Sequence, residues 1–127
     1  MAQVTAYTNE GRYKCLEDLP IDSAELSLGY CGWEQCYPGH RFGPNKRTSY
    51  ALHIITAGKR KMEKNGEVFY LKAGDAFLLC PEEEAWYEAD KKEPWAYAWI
   101  GLYGYKIKKV MQYAGFSKEK PVRSLKC

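Results

Sequence analysis

Histidine is nearly missing from this chain: His40 and His53 are the only two. A metal centre on first-row N/O ligands needs several imidazoles and a carboxylate converging on one point. Two histidines, one expected in a loop and the other mid-strand, do not provide that set, so no metal is expected. Paired cysteines are missing as well. Cys15, Cys31, Cys36, Cys80 and Cys127 make an odd number without a CxxC pair. The N-terminus shows no charged segment followed by an apolar one, the mark of a secretory leader. No run approaches the roughly 18 apolar residues of a membrane span. These absences point to a cytoplasmic protein with reduced thiols and no membrane partner.

Charge of one sign is also lacking. The net charge of +3 is small and dispersed. There is no recognisable helix-turn-helix, basic stripe or aromatic nucleic-acid platform, so direct DNA or RNA binding by this stretch is not expected. Groupings that do chemistry are equally scarce. Cys80 stands before Pro81 with no histidine or carboxylate recognisably paired to it, as a structural thiol would. Glu82, Glu83 and Glu84 are consecutive, cannot share one face, and read as a solvated turn. Gly39 and Gly43 lack the lysine and helix of a phosphate-cradling loop. No catalytic residue is assigned, and no cofactor is expected.

Aromatic residues are what the chain has in excess, at 15% of the total with 11 tyrosines. They concentrate in residues 94–104, where Trp95, Tyr97 and Trp99 alternate with Ala96, Ala98 and Ile100. A period of two puts the three rings on one face of a strand and small apolar groups on the other. Such a ladder either fills a core or lines a cavity for a flat ligand. Sugar rings offer apolar C–H faces for stacking, and their hydroxyls need a few placed donors and acceptors. Tyr87 and Tyr97 could provide hydroxyls, and Trp95 or Trp99 a stacking plane.

The rest of the chain reads as short strands between turns. Residues 1–25 have no sustained period and suit an N-terminal arm, with one short strand near Val4–Tyr7. Residues 26–36 suit a strand with a bend, and 37–45, rich in glycine and proline, a long loop. A strand over Tyr50–Thr56 places Ala51, His53 and Ile55 on one face. Asn65-Gly66 is a strong hairpin signal between Lys59–Lys64 and Glu67–Leu71. Ala73-Gly74-Asp75 turns into Ala76–Cys80, and Ala85–Ala89 is a further short strand. From Tyr103 to Tyr113 the period becomes helical, with Gly115 a candidate C-terminal cap. The domain reading is an arm over 1–25, a barrel over 26–102, and over 103–127 the start of a linker or dimerisation helix and a tail. Many short strands and one helix favour a small β-barrel or jelly roll over a βαβ fold. In a hollow barrel His53 would face the pocket; in a filled one it would be a hydrogen-bonded core residue.

The order and spacing of several segments resemble a known sensor domain. They are Tyr50-Ala-Leu-His-Ile-Ile-Thr-Ala-Gly58, Asn65-Gly66, Tyr70-Leu-Lys-Ala-Gly74-Asp75-Ala-Phe77-Leu-Leu-Cys-Pro81, Trp86-Tyr87-Glu-Ala-Asp90 and Pro94-Trp95-Ala-Tyr97-Ala-Trp99-Ile-Gly-Leu. The domain is the N-terminal, cupin-like, arabinose-binding-type effector domain of AraC-family transcription regulators. The upstream Cys36-Tyr-Pro38-Gly39-His40-Arg-Phe42-Gly43-Pro44 is similar to versions of it in Gram-positive gut bacteria. The resemblance implies a mainly β, cupin-like jelly roll (a double-stranded β-helix) with a C-terminal α-helix. It further implies a small-molecule effector, often a sugar, with DNA bound only through a C-terminal part absent here, and a possible homodimer. Carried over residue by residue, the sugar contacts fall on Tyr87, Tyr97 and Trp99, with Tyr97 standing where a histidine is usual. The family's sugar-binding arginine falls near Gly43, which leaves Arg41 and Arg47 as nearby substitutes. The interior parity of metal-binding cupins makes His53 inward-facing. The expected ligand-binding set is therefore His53, Tyr87, Trp95, Tyr97, Trp99 and Arg47. The rival class is a small cupin enzyme acting on a sugar or other small molecule, which would need a metal or a convergent acid–base pair.

Overall fold

The computed structural model describes residues 6–17, 19–20, 23–46 and 48–125. Along the chain run β1 (Ala6–Glu10), β2 (Tyr13–Glu17), β3 (Ser27–Gln35), β4 (Arg41–Lys46), β5 (Tyr50–Ala57) and β6 (Lys59–Lys64). They are followed by β7 (Glu67–Lys72), β8 (Asp75–Leu79), β9 (Glu84–Ala89), β10 (Ala96–Tyr103), α1 (Ile107–Tyr113) and β11 (Val122–Ser124). Asn65 and Gly66, at φ of 50° and 81°, close the β6–β7 hairpin as their tolerance of positive φ allows.

The strands form a seven-stranded sheet in the order β1-β2-β3-β10-β5-β8-β11 and a four-stranded sheet in the order β4-β9-β6-β7. Neighbouring strands pair antiparallel throughout. The result is a jelly-roll sandwich whose inner faces are set by alternation. Ala51, His53 and Ile55 of β5, Arg60, Met62 and Lys64 of β6, and Ala85, Tyr87 and Ala89 of β9 are all buried. The core joins Ile55, Met62, Leu71, Phe77, Tyr87 and Trp95.

β10 lies between β3 and β5 in the large sheet. Its register pairs Tyr97 with Ile55 and Glu34, Trp99 with His53 and Gly32, and Gly101 with Ala51 and Tyr30. Tyr97 and Trp99 therefore share the inner face with His53. Glycine at position 32 is required by this packing: a β-carbon there would sit 2.2 Å from the Trp99 ring.

On the outer face of β5 and β8, Tyr50, Leu52, Ile54, Ala76 and Leu78 pack against Met111 and Phe116. This packing is why α1 keeps one apolar stripe while Lys106, Lys108 and Lys109 stay exposed. The helix is shorter than its period suggests. Tyr103 still belongs to β10, and Gly104, at φ 130° against the Glu25 carbonyl, breaks the chain before Ile107.

Three segments gain strand structure that their sequences hide. Within the expected arm, β1 and β2 form a hairpin that extends the large sheet beyond β3. The strand expected near Val4–Tyr7 overlaps β1, although residues 4 and 5 lie outside the described ones. The expected loop at 37–45 includes most of β4, which pairs with β9 across a bulge between Phe42 and Asn45. In the tail, β11 pairs with β8. Edge pairing needs backbone hydrogen bonds and not apolar alternation, so it leaves little trace in pattern.

Candidate functional site

The inner row of β6 places a guanidinium at the centre of the sandwich. Arg60 is 2% exposed. Its guanidinium carbon lies 3.7 Å from the centre of the Trp95 ring, 4.8 Å from that of Tyr87 and 5.7 Å from that of Phe77. Nη1 stands 3.3 Å from Nδ1 of His53. A guanidinium has only donors, so His53 Nδ1 accepts. Nε and Nη2 of Arg60 are buried and make no hydrogen bond among the described residues. Burial lowers the Arg60 pKa to about 9, which leaves it cationic at neutral pH.

Trp95 holds this group in place. The Tyr97 ring stacks on Trp95 at 3.7 Å with an interplanar angle of 3°. Arg60 lies at the same 3.7 Å from the same ring centre. Two groups that close cannot share one face, so Trp95 is sandwiched between them. Its indole is therefore a platform for Arg60 and not an open stacking plane. The stacking plane expected at Trp95 is covered on both faces, by Arg60 and Tyr97.

The other expected residues gather around the sandwich. His53 lies 5.4 Å from Tyr97, 5.5 Å from Tyr87 and 6.5 Å from Trp95, measured between ring centres. Trp99 follows at 5.0 Å from Tyr97 and is half-buried. Arg47 lies outside the described residues. His40 is exposed before β4, away from His53 on the inner face of β5.

Two aromatics that pattern did not single out mark the way in. Phe42 pairs with Tyr87 across β4 and β9, so it faces inward, and its ring is parallel to that of Tyr87 at 5.8 Å. It is nonetheless 44% exposed. Phe42 therefore stands where the inner face meets solvent, at the β4 edge of the small sheet. Tyr13, from the hairpin of the N-terminal segment, reaches Trp99 at 5.7 Å. The site is thus a buried floor of Arg60, His53, Tyr87 and Trp95 under a half-buried rim of Tyr13, Phe42, Tyr97 and Trp99.

Two groups beside the floor are held protonated at neutral pH. Burial, with Glu34 nearby, pushes the Tyr97 phenol well above its ordinary value. Burial likewise pushes the Cys36 thiol up to about 12, Glu34 adding to it. Among the described residues no group of three or more His, Cys, Asp and Glu side chains is placed to hold a metal ion. Stacking surfaces, fixed donors and an enclosed cation equip the site to bind a polar, partly apolar ring.

Farther along β6 the same inner row ends in a buried ion pair. Lys64 Nζ lies 2.9 Å from Glu83, with the two side chains 4% and 2% exposed. Lys64 also donates to the Lys118 carbonyl at 2.9 Å, and Glu83 accepts the Cys80 backbone N–H at 2.8 Å. This corrects the reading of Glu82–Glu84 as a wholly solvated turn: Glu82 and Glu84 are exposed, and Glu83 ties the turn to β6.

Comparison with known proteins shows the family and the fold. The model of the AraC-like ligand binding domain family matches residues 27–126. The Msm operon regulatory protein of Streptococcus mutans is 37% identical over 101 residues, covering 80% of this chain and 36% of that protein. The raffinose operon transcriptional regulatory protein of Pediococcus pentosaceus is 39% identical over 94 residues, covering 72% of this chain and 33% of that protein. The chain therefore spans about a third of the length of these curated relatives. Among solved structures, YhaK of Escherichia coli superposes with a TM-score of 0.64 at 18% identity, covering 96% of this chain and 51% of that one. A cupin protein of Bacteroides fragilis gives 0.58 at 14% identity, covering 80% of this chain and 87% of that one. At such identities the likeness is one of fold, a cupin-type jelly roll.

Proposed function

The chain belongs to the AraC-like ligand-binding domain family, and we propose that it senses a saccharide effector inside its jelly roll on behalf of a transcription regulator. The observation that carries this reading is the inward cluster of His53, Tyr87, Tyr97 and Trp99 around Arg60, with the exposed Phe42 at its edge. Trp99 and Tyr97 supply apolar faces and the phenols and guanidinium supply directional polar contacts, the combination a sugar ring needs. Two curated relatives named as regulators of a raffinose operon and a lactose operon support the saccharide class.

In this reading the domain does no chemistry. Effector binding favours one of two arrangements of the N-terminal hairpin and the segment after β10, and that difference in affinity is what reaches a DNA-binding part of the same regulator. The regulator works in the cytoplasm and pairs with a second copy of itself. Arg47 is a further ligand contact in this reading. Calorimetric titration of the chain with a panel of mono- and oligosaccharides tests the assignment. Saturable binding that is lost in a folded Trp99→Ala variant is expected. Binding unchanged by that substitution, or none across the panel, would remove the reading.

A further inference from the structure

The two buried cations of β6 are treated differently by the fold. Lys64 has a carboxylate, Glu83, and a backbone carbonyl within 2.9 Å. Arg60, four residues earlier on the same inner row and equally buried, has aromatic faces and one imidazole nitrogen. The ion pairs among the described residues are Lys59–Glu93, Lys64–Glu83, Lys72–Asp75 and Lys106–Glu25, and Arg60 takes part in none. Two neighbours, the Tyr97 phenol and the Cys36 thiol, supply no negative charge at neutral pH, since burial keeps both protonated. A stacked aromatic ring attracts a cation through its face, but it leaves the in-plane N–H donors unanswered.

The donors left unanswered among the described residues are Nε and Nη2. They form one edge of the guanidinium, the fork that matches two oxygens of a carboxylate or phosphate. The third in-plane direction, through Nη1, is fixed by His53, and the plane is fixed by Trp95. The edge is therefore presented ready-made, with little rearrangement required of the side chain. A neutral hydroxyl pair would satisfy the two donors and leave the enclosed charge uncompensated. An oxyanion satisfies both, and burial strengthens the contact.

Building on the saccharide reading above, we infer that the effector is an acidic saccharide whose carboxylate or phosphate takes the Nε–Nη2 edge of Arg60. The sugar ring then extends from this anchor toward Trp99 and Phe42. Arg60 sets the ligand's charge, and the aromatic rim sets the fit of its ring.

The test is calorimetry on the 127-residue chain with matched probes: galactose, galacturonic acid and galactose 6-phosphate, the corresponding glucose series, and inorganic phosphate and acetate alone. At least tenfold tighter binding of an acidic or phosphorylated sugar than of its neutral parent is expected, and the preferred member says whether carboxylate or phosphate is the natural group. Arg60→Gln removes that preference, and Arg60→Lys, which keeps the charge but not the fork, retains part of it. Equal affinity for neutral and charged members, or a preference that survives Arg60→Gln, overturns the inference while leaving the saccharide reading intact. Arg60-dependent binding of inorganic phosphate with no response to any sugar supports the oxyanion site and overturns the saccharide reading. No binding of any probe overturns both. The matched pairs read the inference on the unaltered chain, so it does not depend on a variant's folding.

Discussion

The guanidinium of Arg60 lies 3.7 Å over the ring of Trp95, inside the sandwich and away from every carboxylate in the described ion pairs. Tyr97 closes the opposite face of the same indole. The stack immobilises a charged group at considerable expense in desolvation, which the ring faces and His53 offset among the described residues.

That expense makes the first prediction one of stability. Replacing Arg60 with methionine, an unbranched side chain without charge, should raise the unfolding free energy by about 1–2 kcal/mol, because a desolvated cation without a carboxylate partner is removed. Urea denaturation at pH 7 measures it. A variant clearly less stable than the parent would mean that the aromatic stack more than compensates the buried charge.

Lys64 and Glu83 should behave in the opposite sense. Each is buried with its partner at 2.9 Å, so Lys64→Met alone leaves an enclosed carboxylate and should lose about 3–5 kcal/mol. Lys64→Met combined with Glu83→Leu should recover most of that loss. A double-mutant cycle showing additive losses would refute a coupled pair.

Alkaline pH should weaken the fold through Cys36. Its thiol ordinarily titrates near 9 and is raised to about 12 in the folded chain by burial, with Glu34 adding to the shift. Above pH 9 the unfolded chain gives up this proton before the folded chain does. The unfolded state then binds fewer protons, and stability falls as pH rises from about 9 to 12, by at most about 1.4 kcal/mol per pH unit for one proton. Cys36→Ala should flatten the decline relative to the parent when melting is followed between pH 8 and 10.5. An identical decline in both proteins would assign it elsewhere.

Gly32 tests the rim. A methyl group there would meet the Trp99 ring at 2.2 Å, so Gly32→Ala should swing the indole off the inner face. Saccharide affinity should fall at least tenfold, with overpacking destabilising the fold by about 1–3 kcal/mol. Unchanged affinity would place the ligand away from Trp99.

Much of this site could be read before the fold was known, for a definite reason. Parity puts Tyr97 and Trp99 on one face of β10 and His53 with Ala51 and Ile55 on one face of β5, and the register of the two strands makes these one face. Arg60 could not be found that way. The β6 segment Lys-Arg-Lys-Met-Glu-Lys is charged on both faces apart from Met62, and only its pairing with β7 and β9 shows which face is enclosed. Glu83 was hidden similarly, between two exposed glutamates. Phe42 was obscured by Gly43-Pro44, which reads as loop although β4 passes through it. Tyr13 leaves no mark in pattern because its partner, Trp99, is far away in sequence.

The central claim, that the inner face of the sandwich is a ligand site, can be tested on four indole signals at once. Trp95 and Trp99 face inward. Trp33, opposite Ala98, and Trp86, bonded to Glu63 beneath Arg41, face outward. In ¹⁵N-correlated NMR spectra of the chain, addition of a saccharide that binds should shift the indole N–H signals of Trp95 and Trp99 and leave those of Trp33 and Trp86 in place. Shifts confined to Trp33 or Trp86 would put the ligand on an outer face and contradict the account.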